Sequence, residues 1–90
     1  MQKMEALALS FPSLGRAWGV SPWNVDEFAE WAAGPAPSSG MRCTARFVLS
    51  VWNPYHEWAC GPFDLTEALR CWDDDHRAAF IAWARAPWWA

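Results

Sequence analysis

Lysine is nearly missing from this chain: six of its seven basic residues are arginine, and Lys3 is the single lysine. With ten acidic residues the formal net charge is −3. That is the wrong sign for a generic nucleic-acid binder, whose phosphate contacts need clustered Lys and Arg. Arg42, Arg46, Arg70, Arg77 and Arg85 are spread over the chain from residue 42 onward, as expected for charge pairing on helix surfaces. Nucleic-acid binding by a helical domain is the lesser reading and would require those arginines to converge in space.

Long apolar runs are also lacking. None approaches the ~20 residues of a membrane-spanning helix, so no membrane partner is expected. The run 6–9 is broken by Ser10 and Pro12, too soon for the core of a secretory signal, and a cytoplasmic protein is expected. Cysteines are few: Cys43, Cys60 and Cys71, an odd number without close pairing. That pattern suits a reducing compartment better than a disulfide framework, and each is expected to act as small buried filler. There is no glycine-rich phosphate loop, no HExxH-type sequence and no internal repeat. No cofactor and no enzymatic activity are expected.

What remains suffices for a core. Hydrophobic residues make up 53% and charged residues 19%, which argues against disorder, and residues 1–90 read as one domain. The stretch 63–89 reads as two amphipathic helices joined by an acidic turn, with the upstream chain covering their apolar faces. Asp64 and Glu67 have capping-box spacing, followed by Leu65, Ala68, Leu69 and Trp72 at helical period. The run 73–75 is unfavourable at the negative end of one helix and favourable at the positive start of the next. Asp73 or Asp74 is therefore the expected cap of a helix carrying Phe80, Trp83 and Ala84 inward, with Ile81 widening the stripe, Asp73 four residues before Arg77, and Pro87 ending it.

Upstream, residues 1–9 read as a turn or two of helix and residues 10–19 as a very short one. A firmer helix carries Val25, Phe28, Trp31 and Ala32. It is started either by Ser21-Pro22 or by Asn24 with Glu27, and ended by Gly34 and Pro35. Residues 34–40 (GPAPSSG) form a surface connector. Run 41–52 is nearly continuous in apolar residues, which periodicity alone does not assign; its length favours helix, its Val and Phe favour strand. Residues 53–62 lie between Asn53-Pro54 and Gly61-Pro62 and read as extended or irregular. The expected fold is all-α, about four short helices around a Trp-rich core, the alternative being α+β with a hairpin at 45–60.

The outlier is tryptophan, with nine residues: Trp18, Trp23, Trp31, Trp52, Trp58, Trp72, Trp83, Trp88 and Trp89. At ~200 Å² each, burying all nine would remove about 1,800 Å² from water, and every indole N–H would need an acceptor. Trp31, Trp52, Trp72 and Trp83 fall on expected apolar faces, while Trp23 and Trp58 lie near element ends or in a loop. Trp88 and Trp89 are expected to fold back over the core. Indoles left outside, together with arginine, make the kind of surface that dominates protein interfaces. The function expected is a non-enzymatic protein-binding module whose contact residues are Trp88, Trp89, Trp23, Trp58, Arg77 and Arg85. Its size and acidity suit a small inhibitor or accessory factor of a mobile element acting on a larger protein complex; a homo-oligomer is left open.

Two chemical readings rank lower. His56, Cys60, Cys71 and His76 supply the four N/S ligands of a structural zinc site, but at unfamiliar spacing. Cys60 with His56 or His76 has the residue types of a nucleophile pair without a local signature.

Overall fold

The computed structural model describes residues 2–90. In chain order they form α1 (Lys3–Leu9), a 3-10 turn (Pro12–Leu14), α2 (Val25–Ala33), α3 (Ser39–Trp52), α4 (Leu65–Cys71) and α5 (Asp74–Arg85). No strand occurs among the described residues, so the fold is all-α and the hairpin at 45–60 does not form. The Cα radius of gyration is 11.6 Å, close to the about 12 Å expected for a compact chain of this length.

The organising element is α3, which corrects the expectation placed on the C-terminal pair. Cys43, Thr44, Ala45, Phe47, Val48, Leu49 and Val51 of α3 are all buried. α1, the 3-10 turn, α2 and α4 all pack on it. A helix covered on most sides can be apolar on most sides; its helical period shows in the less buried polar stripe Arg42, Arg46 and Ser50, spaced four residues apart. Its start is set by Ser38, whose Oγ accepts the Met41 N–H at 3.2 Å.

Three further caps fall where sequence placed them, whereas Gln2, which the sequence reading did not single out, caps α1 by accepting the Glu5 N–H at 2.7 Å. Asn24 accepts the Glu27 N–H at 3.1 Å, Asp64 that of Glu67 at 3.0 Å, and Asp73 that of His76 at 3.0 Å. Each satisfies an orphan first-turn donor. Asn24, rather than Ser21-Pro22, thus starts α2.

Phe47 is the hub of the core. Its ring centroid lies 5.7 Å from Phe11, 5.2 Å from Phe63, 6.1 Å from Trp72, 5.3 Å from Phe80 and 5.1 Å from Trp83, all in edge-on arrangements, the geometry aromatic quadrupoles favour. Trp72 is buried, and its Nε1–H donates to Thr44 Oγ1 at 2.8 Å.

Several finer expectations fail for one reason: α4 and α5 lie on the surface and present only a narrow stripe inward. On α4 only Ala68 is buried; Leu65 and Leu69 are exposed. On α5 the side facing in is His76, Ala79, Phe80 and Trp83, whereas Ile81 and Ala84 face out. Glu67 does not return to its cap but reaches Arg46 at 3.4 Å and accepts from Cys43 Sγ at 3.3 Å. Arg77 does not pair with Asp73. It donates to the Leu69 carbonyl at 2.9 Å, clasping the end of α4 to the start of α5, and meets Asp74 at 3.4 Å.

Candidate functional site

The chain after α5 folds back over the C-terminal end of α3. Trp83 Nε1–H donates to the Trp88 carbonyl at 3.0 Å, and the Ala90 N–H donates to the Val51 carbonyl at 3.0 Å. Trp88 is half-buried, with the Lys3 ammonium 4.2 Å from its ring centroid. Such a cation over an indole contributes about 0.5–1 kcal/mol at an exposed site. Trp89 meets Trp83 edge-on at 5.4 Å but stays 54% exposed. Of the terminal pair, one indole covers the core and the other faces outward.

Trp89 forms one wall of a cleft of about 680 Å³ whose other lining residues are Trp52, Asn53, Pro54, Tyr55 and Ala90. Tyr55 is 93% exposed. The loop behind it is held by Asn53, the C-cap of α3. Its side-chain oxygen accepts the Tyr55 N–H at 3.0 Å, and its carbonyl accepts the Trp58 Nε1–H at 3.3 Å. Trp58, Trp72 and Trp83 spend their indole donors inside the molecule. Among the described residues the Trp52 and Trp89 indole N–H groups and the Tyr55 hydroxyl have no protein partner. The cleft thus offers apolar ring faces, polar tips and no charged side chain.

The other residues named from sequence are dispersed. Trp23 is half-buried at the back of Trp52, ring centroids 5.8 Å apart, and packs on Phe28 at 5.4 Å. Its buried Nε1–H has no acceptor. Trp58 is half-buried with the His56 ring 4.2 Å away. Arg77 is committed to the α4–α5 clasp. Arg85 lies exposed in the last turn of α5. Two further arginines turn inward: Arg42 donates to the Ala32 and Gly34 carbonyls at 3.1 and 2.8 Å, and Arg46 to the Cys60 carbonyl at 2.7 Å. With three of the six arginines holding backbone carbonyls, the convergence a phosphate-binding face needs is not built.

The zinc grouping does not assemble: among the described residues no three His, Cys, Asp or Glu side chains are placed to hold a metal ion. Cys60 is buried with Sγ 3.7 Å from the Gly61 carbonyl. Cys71 is exposed at the end of α4, against the expectation that all three thiols are filler, because that helix turns its last residue outward. The pairing of Cys60 with His76 does not form, because both ring nitrogens of His76 are engaged elsewhere. Its Nδ1 is 2.7 Å from Asp73 Oδ1 and its Nε2 is 2.8 Å from Ser13 Oγ.

Burial pushes the Cys43 thiol up to about 12, and the Glu67 carboxylate beside it adds to the shift. Burial also raises Cys60. Since the thiolate is the reactive form, a disulfide reagent at neutral pH should modify Cys71 at once and the other two only on unfolding. Mass spectrometry of the labelled chain checks this, and fast modification of Cys43 in the folded protein would contradict it.

Three residues that matter here escaped the sequence reading. Trp18 is 70% exposed and, with Trp31, Glu30 and residues 34–36, lines a second, smaller hollow of about 340 Å³. Tyr55 had one signal, its place between two turn dipeptides. Trp52 had none, since helical spacing marked it as core. Comparison of the chain with protein-family models, curated proteins and solved structures finds no match in any of the three.

Proposed function

We propose that this chain is a protein-binding module whose contact surface is the cleft between Trp89 and the Trp52–Tyr55 turn. The observation that supports it most is the split at the fold-back. Trp88 and Ala90 are tied down by a cation and by hydrogen bonds, yet Trp89 between them is left more than half exposed. Tyr and Trp on a rigid frame give large contact area at little entropic cost, and such residues carry most of the binding energy in interfaces. The ring-rich lining, without a charged side chain, favours an apolar or aromatic segment of the partner over a phosphorylated or strongly acidic one. Size and acidity suit a small inhibitor or accessory factor of a larger complex.

The test is affinity capture with the wild-type chain and with the Trp89→Ala, Tyr55→Ala double variant. Both side chains are largely outside the core, so the variant should melt close to the wild type. A partner held through this cleft should bind the variant at least ~30-fold more weakly, corresponding to about 2 kcal/mol for a central anchor. Equal retention by both proteins would exclude the cleft. Wild-type sedimentation as a dimer, lost in the variant, would instead make the partner a second copy.

A further inference from the structure

Near the other end of α3 lies a cluster that the binding reading does not use. Ser13 of the 3-10 turn, His76 in the first turn of α5 and its N-cap Asp73 form one hydrogen-bonded chain. Both Ser13 donors, Oγ–H at 2.8 Å and N–H at 3.3 Å, face His76 Nε2. Nε2 is therefore the acceptor, and the ring proton sits on Nδ1, which donates to Asp73 Oδ1 at 2.7 Å. The His76 backbone N–H, and then its ring, hold the Asp73 carboxyl below its ordinary range, so it remains an anion and a steady acceptor. His76 is 9% exposed and packed beside Phe11 at 6.0 Å, which limits rotation of the ring.

We propose that Ser13 and His76, positioned by Asp73, form an acyl-transfer site for a short-chain carboxylic ester. A nucleophile hydrogen-bonded to a base, itself oriented by a third group, is the geometry that activates a hydroxyl, and it recurs on unrelated folds. The cluster opens into a hollow of about 160 Å³ lined also by Ser38, Gly40, Met41, Cys71 and Trp72. That volume accommodates an acetyl-sized acyl group. Gly40 lies in the first turn of the fourteen-residue α3. Its N–H has no acceptor among the described residues, as expected of a first-turn donor. A Cβ built on Gly40 would meet nothing within 4 Å, so the space beside this residue is open. Because Gly40 and Ser13 line the same hollow, that N–H is the donor assigned to a developing oxyanion.

The chemistry balances with water as the only co-substrate. Ser13 Oγ bonds to the ester carbonyl carbon while its proton passes to His76 Nε2. The bond from that carbon to the alkoxy oxygen breaks as Nε2 returns the proton, releasing the alcohol. Water then adds to the acyl–Ser13 ester, giving its proton to Nε2. The acid leaves as that proton returns to Ser13 Oγ.

The experiment uses the whole chain with two probes, p-nitrophenyl acetate and a fluorophosphonate, the labelled residue being located by mass spectrometry. Label on Ser13, with ester hydrolysis abolished in Ser13→Ala, is the expected result. Asp73→Asn separates catalysis from structure, since Asn caps a helix as well as Asp. The folded variant should lose at least ~100-fold in labelling rate, a smaller loss than the ~10⁴ seen when a buried orienting Asp is replaced. The cap oxygen that accepts Nδ1–H is retained in the variant, so nitrogen NMR should still place the ring proton on Nδ1. The pH profile of labelling should shift, because the imidazolium formed in each step has lost its anion; a purely structural role for Asp73 would leave that profile unmoved. Hydrolysis that survives Ser13→Ala and disappears in Cys71→Ala would overturn the assignment in favour of the neighbouring exposed thiol. So would an unlabelled Ser13 in a folded chain.

Discussion

Phe47→Ala should lower the melting temperature more than any other single truncation in the core. The side chain is 2% exposed and its ring meets five other aromatic rings. Truncation removes the transfer energy of the ring and opens a cavity that five stiff neighbours fill poorly, costing ~3–5 kcal/mol. A ninety-residue domain has only about 5–13 kcal/mol in total. At ~4–8 °C per kcal/mol, melting should fall by about 15–30 °C or the transition should vanish. Phe47→Leu keeps most of the volume and should lose about half as much or less. Thermal unfolding followed by near-ultraviolet circular dichroism reads both. A Phe47→Ala protein that melts within a few degrees of the wild type would mean the aromatic cluster is not the core.

Gly19→Ala should be nearly as damaging, although it adds a single methyl. Gly19 has φ +77°, a left-handed conformation that costs a side-chain-bearing residue about 1–2 kcal/mol. The added Cβ would also press on the Phe28 backbone nitrogen and lie 2.5 Å from the Asn24 carbonyl oxygen. Neither atom can yield, because Asn24 is the cap of α2 and its N–H donates to the Gly19 carbonyl at 2.7 Å. Strain and overpacking together should exceed ~3 kcal/mol. Gly40→Ala is the matched control. It meets nothing within 4 Å and lies within a helix, where Ala is favoured by ~0.5–1 kcal/mol. Denaturant midpoints should therefore move in opposite directions for the two variants, and a shared direction would refute the backbone explanation.

The candidate surface was only partly legible beforehand. Composition alone required some indoles to remain outside, and two of the nine are exposed, Trp18 and Trp89. Which ones was another matter. Trp88 and Trp89 are neighbours with the same local context, yet Lys3, more than eighty positions away, covers one and not the other. Arg77 and Arg85 look alike on the sequence of α5, but only Arg77 finds the Leu69 carbonyl near the end of α4. The Ser13, His76 and Asp73 chain joins residues 63 positions apart and has no local signature, because hydrogen bonds between elements leave no period.

What the sequence determined by itself were the local decisions. Asn24, Asp64 and Asp73 start helices because a side-chain acceptor three residues before an orphan N–H is a property of the chain, whatever lies around it. The all-α class followed from the same caps and periods. Tertiary structure decided which helix became the centre and how wide an inward stripe each of the others presents. Burial depends on how many neighbours surround an element, and the amphipathic look of α4 and α5 carried no information about that number. Ile81 and Leu69 are therefore outside while Cys43 and Thr44 are inside.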